Sequence, residues 1–175
     1  MILHRLRLPS LAALTLAAPI LAGCASDRVV VDDIGIRYSR AEFSAAADGR
    51  DLRTVIQGNP FGTPGFDQAV LGVMNRTYVG PKTNFTATPG PTAKRDYFVS
   101  VVFNPSPDVV PFALCNSAPI PTAPPNPGPI TARAAFCITG GEATAVTGYV
   151  SNVKGPDDPN FVSMIQHMML AMFPY

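Results

Sequence analysis

Apolar residues recur along this chain in three rhythms, and each predicts a kind of element. Residues 51–58 alternate: Leu52, Thr54 and Ile56 lie on one side, Arg53, Val55 and Gln57 on the other. That is a strand. Residues 97–103 are largely apolar on both faces, which places them in the middle of a sheet. Residues 130–139 and 142–152 meet at Gly140-Gly141 and predict a β-hairpin. Ala132, Ala134, Phe136 and Ile138 share one face of its first strand, and Cys137 points to the other. The third rhythm is helical. Phe66, Ala69, Val70, Val73 and Met74 form one stripe, with Thr63 as N-cap, Pro64 in the first turn and Gly80-Pro81 as the stop. A last helix runs over residues 159–172, capped by Asp157 or Asp158, with Phe161, Ile165, Met168 and Met172 in line. The Phe173-Pro174-Tyr175 end follows at once and is expected to pack.

The remaining segments read more weakly. Val29 to Val31 suits an edge strand within a tether, and residues 46–49 read as a turn. A short extended piece at residues 84–86 precedes a turn at Pro89-Gly90-Pro91. Residues 105–129 hold nine prolines in 25 positions and predict a long loop, because proline cannot donate to a ladder. The expected order is β-α-β-β-β-α. This is an α+β fold with two helices packed on one face of a small, mostly antiparallel sheet.

The first 23 residues carry a different message. Arg5 and Arg7 precede an apolar stretch, residues 8–22, that Pro9 and Pro19 interrupt. It fits a secretory signal and is too short and broken for a stable span. It ends in Leu21-Ala22-Gly23-Cys24, which resembles the lipobox of bacterial lipoproteins at all four positions. The resemblance implies cleavage before Cys24 and a covalent lipid on its thiol, an attachment that multiple acyl chains make stable. Ala25, where an Asp would favour retention in the inner membrane, favours the outer membrane. The organisation expected is a cleaved signal at 1–23, a lipidated tether with a possible edge strand at 24–50, and one domain at 51–175.

Composition narrows the class. The 175 residues are 47% hydrophobic and only 14% charged, so neither a disordered chain nor a coiled coil fits. Removal of Arg5 and Arg7 takes the net charge from +1 to −1, with no single-sign run, so no nucleic-acid partner is expected. With Cys24 acylated, Cys115 and Cys137 remain in an oxidising compartment, where such a pair bridges. A metal or redox pair is the alternative, without a Cys-x-x-Cys or a nearby histidine to support it.

Candidate chemistry is sparse. His167 is the one histidine beyond the signal, and no serine is marked as its partner for a hydrolase. Met164, Met168, Met169 and Met172 crowd the last helix, as core filler or as soft ligands for Cu(I). Asn59 and Phe61, and Asp157 and Asp158, lie in two Gly/Pro loops, each leading into a helix, that could form binding loops. Loop 105–129 offers a recognition surface separable from the sheet. The runs 58–64, 97–105 and 155–159 also resemble proteobacterial lipoproteins of similar size, which implies an envelope location and brings over no activity. The expectation is a non-enzymatic accessory or binding protein, anchored through Cys24 on the periplasmic face of the outer membrane, with an envelope protein as partner and no cofactor. The alternatives are a small-ligand or Cu(I) carrier, and a hydrolase using His167.

Overall fold

The structure, a computed structural model, describes residues 27–116, 118–139 and 141–175. The expected signal and lipobox, with Cys24, and Gly140 of the hairpin lie outside the described residues. The elements are β1 (Arg28–Ile34), α1 (Arg40–Ala47), β2 (Arg50–Gln57), α2 (Phe66–Arg76), β3 (Thr83–Thr86), β4 (Tyr97–Phe103), a 3₁₀ turn (Pro111–Cys115), β5 (Ile130–Ile138), β6 (Gly141–Val150) and α3 (Pro159–Met172). The six strands form one sheet in the order β1-β6-β5-β4-β2-β3.

The α+β class holds, but strand order and helix count differ from expectation. The sheet is mixed. β1, β6, β5 and β4 pair antiparallel, while β2 pairs parallel with both β3 and β4. A parallel register is set between segments far apart in sequence, so alternation within one strand does not reveal it. A third helix, α1, forms where a turn was expected. Ser39 caps it by accepting the Glu42 N–H at 3.0 Å, and Phe43, Ala46 and Ala47 are buried. β1 and α1 therefore share the sheet and core of residues 51–175. α2 begins later than expected, with Gly65 rather than Thr63 at the N-cap. Asp158, not Asp157, caps α3, accepting from the Asn160 N–H at 3.0 Å, with Pro159 in the first turn.

All three helices cover one face. Their apolar stripes meet Val99, Val101 and Phe103 of β4 and Ala132, Ala134 and Phe136 of β5. Phe43 stacks on Phe173 with centroids 3.9 Å apart and meets Phe136 edge-on at 5.6 Å. Phe66, Phe103 and Phe161 form a second aromatic group beside it. Gly148 lets α3 lie close on β6, since a Cβ there would sit 2.5 Å from Met168 Sδ and 2.8 Å from Met164 Cγ. The expected packing of Phe173-Pro174-Tyr175 holds in part: Phe173 is buried and the Tyr38 hydroxyl donates to the Pro174 carbonyl at 2.8 Å, but Tyr175 is 84% exposed.

The opposite face is covered by residues 105–129. Leu114 of the 3₁₀ turn seats on Val102, Ala135, Cys137 and Ala145, a small second core. A disulfide joins Cys115 to Cys137. Polar ties add to it. The Ile120 N–H donates to Gln57 Oε1 at 2.8 Å, the Arg133 guanidinium donates to the Val109 carbonyl, and Pro105 bridges Thr122. The proline-rich loop is a fixed lid over a sheet face, not a free strap. Removing it would uncover apolar residues of β4, β5 and β6, so it is not separable from the sheet as expected.

Candidate functional site

The lid does not seal the face it covers. Between it and strands β2 and β4 lies a cleft of about 300 Å³, near the lower end of the size range of small-molecule sites. Arg53, Val55 and Gln57 of β2 form its floor, because odd positions of that strand face away from the helices. Phe98 and Ser100 of β4 adjoin them, and Leu114, Asn116, Ala118 and Pro119 of the lid form the roof.

Ser100 is the unusual member. It is 1% exposed, and its Oγ has no hydrogen-bond partner among the described residues. Val55 and Ala135 are its neighbours across the two adjoining strands, and neither side chain can bond to it. Buried hydroxyls are normally paired, and one left unpaired costs about 1–3 kcal/mol. The residue lines the cleft, but the Oγ itself is closed to solvent, so an incoming group reaches it only by displacing the lid residues packed over it.

Arg53 stands at the opening. Its guanidinium carbon lies 4.4 Å over the Phe98 ring, an arrangement that holds the planar fork in place. It also borders a wider, open cavity of about 640 Å³ lined by Pro89, Gly90, Pro91, Lys94 and Arg95. Asp51, one alternation back along β2, organises that wall. Asn84 Nδ2 donates to its Oδ1 at 2.8 Å and the Gly90 N–H to its Oδ2 at 2.7 Å. These bonds, the Asn84 amide first, hold the Asp51 carboxyl below the usual carboxylate range. No aspartate or glutamate lines either cavity.

No family model, curated protein or solved structure matches the chain. The functional reading therefore rests on these residues.

The residues singled out in the sequence fall elsewhere. Asn59 closes its own turn, accepting from the Phe61 N–H and donating to the Thr63 carbonyl. Phe61 packs edge-on against Phe161 at 5.2 Å and borders an open groove with Pro125, Asn126 and Lys154. Phe61 and Lys154, from the two Gly/Pro loops, thus line the same groove. Asp158 is occupied as the α3 cap, also accepting from the Lys154 N–H. Met164, Met168, Met169 and Met172 are buried; the last three border a void of only about 10 Å³ with Val70, Ile165 and Ala134.

His167 has a partner that the sequence did not mark. Ser163 Oγ lies 3.4 Å from His167 Nδ1, one helical turn away, in a small cleft with Asp27 and Tyr149. The Asp27 Oδ1 is engaged by Ser151 and does not orient the imidazole. Among the described residues, no three His, Cys, Asp or Glu side chains gather as a metal site, and no helix is long and apolar enough to cross a membrane.

Sequence reasoning missed Ser100 and Arg53. The available signal was a single serine inside Tyr97-Phe-Val-Ser-Val-Val-Phe103 and an arginine that shares one side of a neighbouring strand with Val55 and Gln57.

Proposed function

We propose that this chain is a lipid-anchored envelope lipoprotein, held by Cys24 on the periplasmic face of the outer membrane. It binds a small polar ligand, or a short terminal segment of an envelope partner, in the cleft beneath its lid, without catalysis. The observation that carries the binding reading is Ser100: a buried hydroxyl without a partner among the described residues, on a residue that lines a cleft also lined by the Arg53 guanidinium. Such a group raises the energy of the empty site and recovers that cost when a ligand bonds to it. The anchor is supported by Leu21-Ala22-Gly23-Cys24 and by the start of β1 at Arg28, a few residues beyond.

The test is crosslinking in cells with a photoreactive residue at Asn116, on the lid, and a control at exposed Leu170 on α3. The expected result is a discrete adduct from position 116 alone. Adducts from both positions, or from neither, would refute the cleft. Radiolabelled palmitate incorporation, lost in Cys24→Ala, tests the anchor separately.

A further inference from the structure

We propose that the cleft recognises a carboxylate, with Arg53 as the carboxylate receptor and Ser100 as the partner of a second polar group on the same ligand. This deepens the binding reading above and rests on it.

The charged side chains that line the two cavities, among the described residues, are cationic, and the Asp51 carboxylate stands behind the Gly90 wall. Arg53 lines both the 300 Å³ and the 640 Å³ cavity, and Lys94 and Arg95 line the second. The nearest acid along the floor strand, Asp51, has both oxygens engaged by Asn84 and Gly90 and lines neither cavity. An anion approaching on the Arg53 side therefore finds three cations, Arg53, Lys94 and Arg95. Electrostatic focusing of this kind concentrates anions at the opening.

The shape of the cation selects among anions. The guanidinium, placed over the Phe98 ring, is a planar group whose N–H donors point outward from its edge. That fork matches the two oxygens of a carboxylate. Lys94 and Arg95 border the outer cavity alone, so the inner cleft offers one fixed cation, which suits a monoanion better than a phosphate dianion.

The interior sets the rest of the ligand. Val55, Leu114 and Phe98 offer apolar walls for a short carbon body. Gln57 has its Oε1 committed to the lid, so its amide N–H groups are what it offers the cleft. Ser100 Oγ both donates and accepts. A hydroxyl or amide a few bonds from the carboxylate satisfies both. Two sources share this chemistry: a free hydroxy acid, and the last residue of a peptide with a free C-terminus.

The test is an amide-shift titration of the full chain in detergent micelles, with four probes: lactate, trialanine, trialanine amide and inorganic phosphate. The expected result is saturable shifts at residues 53–57, 98–102 and 114–119 with lactate or trialanine, and the stronger of the two names the source. Trialanine amide should bind at least about tenfold more weakly, as should every acid to Arg53→Gln, since a hydrogen bond to a charged group is lost. Arg53→Lys keeps the charge, loses the fork and should fall between. Ser100→Ala should weaken the acids by about three- to tenfold and leave the acid-over-amide preference intact. Equal binding of the acid and the amide overturns the carboxylate while the cleft survives as a binding site. Tighter binding of phosphate than of either acid overturns it as well. No saturable shift with any probe overturns the carboxylate, and the crosslink from position 116 then decides whether the cleft reading falls with it.

Discussion

Replacing Ser100 by alanine should make the protein more stable. The side chain is 1% exposed, its hydroxyl has no partner among the described residues, and Val55 and Ala135 flank it across the sheet. An unpaired buried hydroxyl costs about 1–3 kcal/mol. Deleting it removes that cost and forfeits a few dispersion contacts of one atom, each about 0.1–0.2 kcal/mol. The net gain should be about 1 kcal/mol, or about 2–4 °C in Tm for a chain of this size. Thr144 supplies the control of opposite sign. It is equally buried, but its hydroxyl donates to the Met172 carbonyl at 2.8 Å, where α3 ends against β6. Thr144→Val keeps the shape, strands that carbonyl and should cost about 1–2 kcal/mol. Both variants are compared with the parent by urea titration and thermal unfolding followed by circular dichroism. A Ser100→Ala protein that loses as much stability as Thr144→Val would refute the reasoning. It would mean that the hydroxyl is already satisfied in the ligand-free fold and has no bond left to offer a ligand.

Three further outcomes are expected. Reducing the Cys115–Cys137 bridge, which spans 22 residues, should cost about 3 kcal/mol by loop-closure entropy and should loosen the lid first, visible as faster amide exchange at residues 112–116 and at Ile120. Gly58→Ala should cost at least about 3 kcal/mol in a urea titration. Its φ of +78° is unfavourable for alanine, and the new Cβ would lie 2.4 Å from the Phe103 carbonyl oxygen, a backbone atom that cannot swing away. The Tyr97 hydroxyl donates to Glu42, and this bond, followed by burial, raises the phenol's pKa. Its contribution is therefore complete below the ordinary tyrosine range and is lost as pH rises through the raised value. Tyr97→Phe should lose under about 1 kcal/mol at pH 7, because the half-buried pair is screened, and should show a smaller alkaline loss of stability than the parent.

Elements whose pattern is local were legible in the sequence. β4 announced itself through Val99, Val101, Val102 and Phe103, and α3 through the spacing of Phe161, Ile165, Met168 and Met172. The hairpin and the disulfide were equally plain. What escaped depended on partners distant in the chain. α1 is eight residues long and shows only Phe43, Ala46 and Ala47 to the core, too little for a stripe, and the Asp48-Gly49 that follows reads as a turn. The parallel alignment of β2 with β4 leaves no trace in either strand. Loop 105–129 was recognised as a loop, but its role as a lid rests on Leu114, Gln57 and Arg133, none of which stands out in the sequence. The cleft was illegible for the same reason. Ser100 looks like one polar position in an apolar strand until Val55 and Ala135 are placed beside it.

The meeting of Phe43 with Phe173, and of β1 with β6, has a consequence for how the chain reaches this state. Asp32 and its hydroxyl donor Thr147 are 115 residues apart, and Tyr38 bonds to a carbonyl 136 residues away. Closing such loops must precede any reward from the contacts, so folding should be slow compared with a helical bundle of similar length. A chain delivered N-terminus first holds β1 and α1 without their partners until β6 and Phe173 have emerged. Through that interval Val29, Phe43 and Ala46 are open to other surfaces, and the rate at which the second half arrives sets how long they stay so.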